Sequence, residues 1–138
     1  MLEFNLFLID YWYFSVPLFF FIFLFAYSEM NKGGKKIEPN ELTRLVNKEN
    51  AILIDLRKKE DYESGHIMSA LNYPHQEFDN QMHELNKFKD RPIILVCDMG
   101  RNSANIGEKL KKAEFQETFR LNGGMMTWTQ ENLPVVQK

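Results

Sequence analysis

The sequence predicts an α/β domain built on a parallel β-sheet and preceded by one long apolar segment. Beyond that segment, short apolar runs of strand length alternate with amphipathic stretches of helical length. Such alternation is typical of parallel strands joined by crossover helices that cover both faces of the sheet. With 138 residues, the chain has room for a single domain of this kind once the N-terminal segment is set aside.

The N-terminal segment has the composition of a transmembrane helix. Residues 4–27 contain eight of the twelve phenylalanines, and residues 11–27 carry no charge. As a helix, residues 4–27 would span roughly 36 Å, which is enough to cross the hydrocarbon core of a bilayer. We therefore expect residues 1–30 to form a membrane anchor, with Pro17 tolerated inside the helix.

The flanks of this segment predict its orientation. No basic residue precedes it, and three lysines follow it: Lys32, Lys35 and Lys36. The positive-inside rule then predicts a single-pass protein of the inner (cytoplasmic) membrane with its C-terminal domain in the cytoplasm. Cleavage of a signal peptide comprising residues 1–28 is the alternative, and it would place the domain in the periplasm or outside the cell. Signal peptides begin with a basic region, which this chain lacks.

Residues 31–36 contain two glycines and three lysines and are expected to form a flexible linker to a domain over residues 37–138. All 17 basic residues lie beyond residue 30, together with 16 of the acidic ones. Because this part is close to neutral, nucleic acid is not expected as a partner. The single cysteine excludes an internal disulfide framework and an all-cysteine metal site, so neither a metal nor another cofactor is expected.

The elements follow in order along the domain. Pro39 suits the first position of a helix that continues to about Asn47. Strands are expected over residues 51–54, 71–74, 92–96 and 118–121. Helical stretches are expected over residues 60–64, 78–85 and 103–113 and around Trp128.

Cys97 lies where a reactive cysteine would be built. It follows the apolar run 92–96 and opens a loop, residues 97–102, before a helical stretch. At such a turn the loop N–H groups point inward, with the positive end of the helix dipole behind them. This environment favours the thiolate, which is the nucleophilic form of cysteine. A buried structural cysteine is the alternative interpretation. Ligands of open α/β sheets bind beyond the carboxyl ends of the strands, where Cys97 lies.

Three segments resemble the signatures of rhodanese-homology domains. Residues 54–57 (IDLR) and 60–74 resemble the first signature, residues 97–104 (CDMGRNSA) the active-site loop, and residues 121–134 the closing signature. They occur in the family's order and spacing and cover roughly residues 37–138. An apolar helix joined to one such domain also resembles the membrane-anchored single-domain bacterial rhodaneses.

The resemblance implies a five-stranded parallel sheet flanked by helices, and sulfurtransferase chemistry. In that chemistry a cysteine takes sulfane sulfur from a small donor such as thiosulfate, or from a persulfide carrier, and passes it to a thiophilic acceptor such as cyanide or a thiol. Cys97 falls on the sulfur-carrying residue. The loop whose amides hold the persulfide corresponds to Asp98, Met99, Gly100, Arg101 and Asn102. Because the chain has no second cysteine, an external thiol must discharge the persulfide.

Three residues of the first signature are expected near the site. Asp55 and Arg57 lie at the end of the first apolar strand, and an ion pair between them that fixes the loop is the preferred interpretation. Direct contact of Arg57 with the substrate is the alternative. His66 is expected to be a structural histidine near the site rather than a general base.

Two loop positions depart from the family pattern. Many members carry arginine at the sixth loop position, where this chain has Asn102, with Arg101 one place earlier. Arg101 is expected near the mouth of the site, where its charge would attract anionic donors. The negative charge of Asp98 opposes thiolate formation and repels anionic donors. If Asp98 faces the site, weak use of thiosulfate is expected.

Two other functions remain open from the sequence. Phosphatases and arsenate reductases of related fold use a similar loop, but that of the rhodanese-like phosphatases is one residue longer and ends in arginine. The six residues from Cys97 to Asn102 therefore favour sulfur over phosphate. A membrane-tethered module that delivers sulfur or docks a partner, with little turnover, is the alternative from a different class.

Overall fold

The computed structural model describes residues 1–30 and 32–137 and divides the chain into two compact units, which meet in sequence between Asn31 and Lys32. The N-terminal unit is helical and consists of α1 (Leu2–Asp10) and α2 (Trp12–Met30). The single helix expected over residues 4–27 is therefore interrupted, because the chain leaves helical geometry at Tyr11. Pro17 lies inside α2, as the sequence suggested.

Helix α2 corresponds to the predicted anchor. An 18-residue stretch of this helix has a mean hydropathy of 1.5, and none of its 19 residues is buried. Among the described residues it is the one helix that is long and apolar enough to cross a membrane. A signal sequence near an N-terminus can meet the same criteria of length and hydropathy, so α2 is compatible with an anchor or with a signal sequence.

The second unit is an α/β domain around a five-stranded parallel sheet, which confirms the predicted fold class. The strands are β1 (Lys35–Ile37), β2 (Ile52–Asp55), β3 (Leu71–Asn72), β4 (Ile93–Val96) and β5 (Thr118–Leu121), in the spatial order β1-β5-β4-β2-β3. The helices are α3 (Pro39–Lys48), α4 (Lys59–Ser64), α5 (Phe78–Gln81), α6 (Arg101–Lys112) and α7 (Gly124–Gln130). Two 3₁₀ segments, His75–Glu77 and Met82–Phe88, flank α5.

Helices cover both faces of the sheet and create two apolar cores. Strands β2 and β4 are buried throughout, which explains why their sequences are continuous apolar runs without alternation. One core contains Leu42 and Leu45 of α3 and Trp128 of α7. The other contains Phe78 of α5, Leu110 of α6 and the Cys97 side chain. Cys97 is therefore anchored in a core at the end of a central strand.

The expected flexible linker is wrong for residues 33–36, which belong to the domain. Residues 35–37 form an edge strand paired with β5, and Gly33 is buried. The Gly33 N–H donates to Glu108 Oε1 at 2.7 Å. A Cβ atom on Gly107 would lie only 1.8 Å from the Gly33 carbonyl oxygen, so this contact between α6 and the incoming chain requires glycine. The glycines that suggested flexibility serve close packing instead.

This boundary leads to a first prediction. A fragment of residues 32–138 should fold alone with a cooperative melt, whereas residues 39–138 should be strongly destabilised. The shorter fragment lacks β1, leaves the β5 backbone unpaired on one side and removes the buried Ile37. Circular dichroism of both fragments during heating measures the difference. Equal melting temperatures would show that residues 32–38 are dispensable for the domain.

Candidate active site

The sequence places Cys97 at the carboxyl end of β4, where the chain turns into α6. Its side chain is only 2% exposed. The Cys97 carbonyl oxygen accepts a hydrogen bond from the Met125 N–H at 2.8 Å, and the Asp98 carbonyl oxygen accepts one from the Met126 N–H at 2.9 Å. The first turn of α7 therefore holds the start of the loop in place.

The loop turns back so that a backbone amide meets the sulfur. The Gly100 N–H donates to Cys97 Sγ at 2.9 Å. Gly100 has a φ of 86°, a conformation that favours glycine, and it forms the N-cap of the 12-residue helix α6. Ser103 Oγ donates to the Gly100 carbonyl oxygen at 2.9 Å and fixes this turn. The amide and the positive end of α6 both favour negative charge on the sulfur.

A cavity of about 190 Å³ opens beside Cys97. Its walls come from the segment after β2, the segment after β3 and the cysteine loop, and they consist of Leu56, Arg57, Lys58, Asp61, His75, Cys97, Asp98 and Asn102. Asp98 thus faces the cavity. Arg101, which was expected near the mouth of the site, begins α6, is exposed and lies outside this lining. Met99 is also exposed and outside the lining.

Asp55 and Arg57 form a buried ion pair at the edge of the cavity. Their side chains are 1% and 8% exposed, and Arg57 Nη2 lies 2.7 Å from Asp55 Oδ2. Arg57 Nε adds a second hydrogen bond to Asp55, and Nη2 also donates to the Gly65 carbonyl oxygen at 2.7 Å. The Asn72 amide donates to the carbonyl oxygens of Asp55 and Arg57. The expected ion pair is therefore present, and it fixes the turn after β2.

His66 lies outside the cavity lining. Its ring stacks on Tyr62 with centroids 3.8 Å apart, and Nδ1 lies 2.8 Å from the Tyr62 carbonyl oxygen. Its backbone pairs with Val136 near the C-terminus. These contacts support the structural role expected for His66. Burial raises the pKa of the Tyr62 hydroxyl, and the nearby charge of Asp55 raises it further.

Four residues of the cavity wall were not among the site residues predicted from the sequence: Leu56, Lys58, Asp61 and His75. Leu56, Lys58 and Asp61 follow β2, and His75 follows β3. His75 Nδ1 lies 3.2 Å from the Leu56 carbonyl oxygen. Their location in the sequence could have identified them, because each comes shortly after a parallel strand whose carboxyl end lies at this edge of the sheet. Within residues 1–30 and 32–137, no three His, Cys, Asp or Glu side chains are grouped to hold a metal ion.

The arrangement suits transfer of a small group through sulfur. It combines a sheltered thiol, an amide donor at that thiol and a narrow cavity that limits the size of the reacting molecule. The one arginine of the lining is already bound to a carboxylate. An arginine that closes on a phosphate-like oxyanion is therefore missing from this lining, which agrees with the preference for sulfur over phosphate.

Comparison with known proteins identifies the class. The family model of the Rhodanese-like domain matches residues 38–131, and the chain therefore belongs to the rhodanese-like family. Among individual proteins, YibN, an uncharacterized protein of Escherichia coli (strain K12), is 35% identical over 123 residues, covering 88% of this chain and 86% of that protein. A match of that extent reaches into the apolar N-terminal unit.

Two further relatives connect the fold with its chemistry. The thiosulfate sulfurtransferase GlpE of Shewanella oneidensis is 26% identical over 98 residues, covering 71% of this chain and 95% of that enzyme. The crystal structure of a rhodanese-related protein from Thermoplasma volcanium has a TM-score of 0.68 at 23% identity, covering 75% of this chain and 99% of that one. The latter likeness shows the fold, and relatives such as GlpE support sulfur transfer at the level of the family.

Proposed function

We propose that this chain is a membrane-anchored sulfurtransferase in which Cys97 carries sulfane sulfur as a persulfide. The observation that carries this proposal is the Gly100 N–H, which donates to Cys97 Sγ beside a small cavity at the strand end. Membership of a family that includes GlpE supports the reaction type.

The first half-reaction loads the cysteine. The Cys97 thiolate attacks the sulfane sulfur of the donor, and an S–S bond to Sγ forms while the bond between that sulfur and the rest of the donor breaks. The leaving group takes the electron pair, which makes it sulfite when the donor is thiosulfate. The Gly100 N–H and the end of α6 stabilise the negative charge at the sulfur as the bond forms.

The second half-reaction removes the added sulfur from Cys97. A thiolate or cyanide attacks the outer sulfur, and the electron pair of the broken S–S bond returns to Cys97. Cys97 is the only cysteine of the chain, so the acceptor comes from outside. The expected kinetics are therefore those of a ping-pong reaction between donor and acceptor.

Mass spectrometry tests the proposal directly. The purified full-length protein in detergent is incubated with a sulfane-sulfur donor and then examined intact and after proteolysis. We expect the mass to increase by one sulfur atom, located on the peptide that contains Cys97, and to return to its original value when a thiol is added. A chain that accepts no sulfur from any donor would instead be a docking module with little turnover.

The membrane part of the proposal rests on α2 and on the lysines that follow it. We propose that α2, with the rest of residues 4–27, anchors the protein in the inner membrane and that the domain faces the cytoplasm. A green fluorescent protein fused after Lys138 should fluoresce, and an alkaline phosphatase fused at the same place should be inactive. Active phosphatase, or a mature N-terminus at Glu29, would place the domain on the other side.

A further inference from the structure

The cavity over Cys97 offers unpaired charges of both signs. Among the residues that the structure describes, Lys58, Asp61 and Asp98 line the cavity and take part in no ion pair. The Arg57 guanidinium is already bound by Asp55. Apart from His75, the wall therefore presents one free positive and two free negative charges to a bound molecule.

These charges do not suit an inorganic dianion such as thiosulfate. A dianion would approach two carboxylates and find one lysine, with the nearest guanidinium already neutralised. A molecule that carries an ammonium group as well as a carboxylate matches the wall instead. Its ammonium would pair with Asp61 or Asp98, and its carboxylate with Lys58.

From this pattern we propose that the sulfur donor is the persulfide of a small amino thiol, a zwitterion of the type of cysteine persulfide. This inference rests on the proposed function and specifies its substrate class. A volume of about 190 Å³ is below the range of pockets for drug-sized ligands and suits a molecule the size of an amino acid.

The loading step balances without an oxidant. The Cys97 thiolate attacks the outer sulfur of R–S–SH, and a new S–S bond joins Sγ to that sulfur. The S–S bond of the donor breaks, and its electron pair leaves with the inner sulfur as the thiolate R–S⁻. The proton of the persulfide ends on the thiolate or in solvent. The count of S–S bonds is unchanged, so nothing is oxidised or reduced overall.

A set of matched donors tests the inference on the full-length protein in detergent. Thiosulfate, cysteine persulfide, 3-mercaptopropionate persulfide (no ammonium) and cysteamine persulfide (no carboxylate) are compared by the second-order rate at which Cys97 gains one sulfur. We expect cysteine persulfide to load about tenfold faster than 3-mercaptopropionate persulfide and faster still than thiosulfate, the size expected for one charge contact. The Asp61→Asn, Asp98→Asn double variant should remove most of this difference, and Lys58→Gln should slow cysteine persulfide more than cysteamine persulfide.

Glu60→Gln is the matched control, because Glu60 precedes Asp61 on α4 but lies outside the cavity lining. It should leave the donor ratios unchanged. Thiosulfate loading as fast as cysteine persulfide, or donor ratios that survive in the double variant, would overturn the inference while the proposed function stands. If none of the four donors loads Cys97, the proposed function itself fails.

An independent observation concerns Arg120 of β5, which is only 5% exposed. Arg120 lies opposite Leu95 in the sheet, so its side chain is on the same face as Leu95. Cys97, which directly follows β4, belongs to the same core as Leu95. Its Nε donates to the Gly34 carbonyl oxygen at 3.2 Å. Burial lowers the pKa of Arg120, whereas the charges of the Cys97 thiolate and of Glu108 act in the opposite direction.

We infer that Arg120 is a positioning residue whose buried charge, behind the sulfur, stabilises the Cys97 thiolate. The other charged or titratable groups around Cys97 are Arg57, Lys58, Asp61, His75 and Asp98 on the cavity side and Glu108 on α6. Arg57 is neutralised by Asp55, and Lys58, Asp61 and Asp98 act on the sulfur from the exposed, cavity side. Arg120 therefore acts on the sulfur from the side that solvent does not reach.

The pH dependence of Cys97 alkylation by iodoacetamide in the full-length protein tests this role. Arg120→Gln should move the midpoint upward by about one pH unit, because a buried positive charge is lost. Arg120→Lys should restore most of the shift, and Glu108→Gln should move the midpoint downward while still accepting the Gly33 N–H. Leu45→Ala, a core variant on the other face of the sheet, should lower the melting temperature without moving the midpoint. An unchanged midpoint in a folded Arg120→Gln protein would overturn the inference. If Arg120→Gln does not fold, an unchanged midpoint in Glu108→Gln would overturn it.

Discussion

Replacing Cys97 with serine should abolish persulfide formation while leaving the fold intact. Serine differs from cysteine by one atom and fits the same buried position, so the core around β4 and α6 should keep its packing. A serine hydroxyl remains protonated at neutral pH and is a poor nucleophile toward sulfane sulfur. We therefore expect no gain of sulfur by mass spectrometry and a circular dichroism spectrum like that of the unaltered protein.

Ser103→Ala provides the control for this experiment. Ser103 is buried beside the loop and donates to the Gly100 carbonyl oxygen, but it carries no sulfur chemistry. Its loss should slow loading without abolishing it. Persulfide on Cys97→Ser would contradict the proposed role, because the chain has no other cysteine to carry sulfur.

Replacing Asp55 with alanine should destabilise the domain by about 3–5 kcal/mol, because it leaves the buried Arg57 without its counter-charge. The Arg57 guanidinium would keep the Gly65 carbonyl oxygen as a partner but would lose the carboxylate that holds it. The turn after β2, which supplies the cavity wall, should loosen at the same time. Urea unfolding of residues 32–138 measures the effect, once the folding of that fragment is verified.

Two further variants show whether the loss of stability comes from the unpaired buried charge of Arg57. Asp55→Leu combined with Arg57→Met removes both charges and should recover much of the lost stability. Glu41→Ala breaks the exposed ion pair between Glu41 and Arg44 on α3 and should change stability little. A small effect of Asp55→Ala would show that solvent reaches Arg57 and that the pair is not buried in solution.

The sequence predicted the sheet well because burial imposes a simple pattern on it. β2 and β4 lie at the centre and are covered on both faces, so their residues form continuous apolar runs that end at Asp55 and Cys97. The position of Cys97 at a strand end followed directly from those runs. The helices were found for a similar reason, since α3 and α6 each place an apolar stripe on the sheet.

The directions of loop side chains could not be predicted in this way. Asp98 and Arg101 are both charged residues of one loop, yet Asp98 lines the cavity and Arg101 does not. Arg120 was missed because a charged residue in a strand normally faces solvent, whereas this one is buried. Gly33 was misread because the same residue type serves flexible linkers and close helix contacts.

The depth of Cys97 has a consequence for how the protein meets oxidants and other thiols. A thiol that is 2% exposed is sterically protected against forming a disulfide with a second copy of the chain. In the proposed cycle, each added sulfur extends the side chain by about 2 Å into the cavity. The protein without added sulfur is thereby shielded from cross-linking. In the persulfide, the transferred sulfur is the atom that reaches the acceptor.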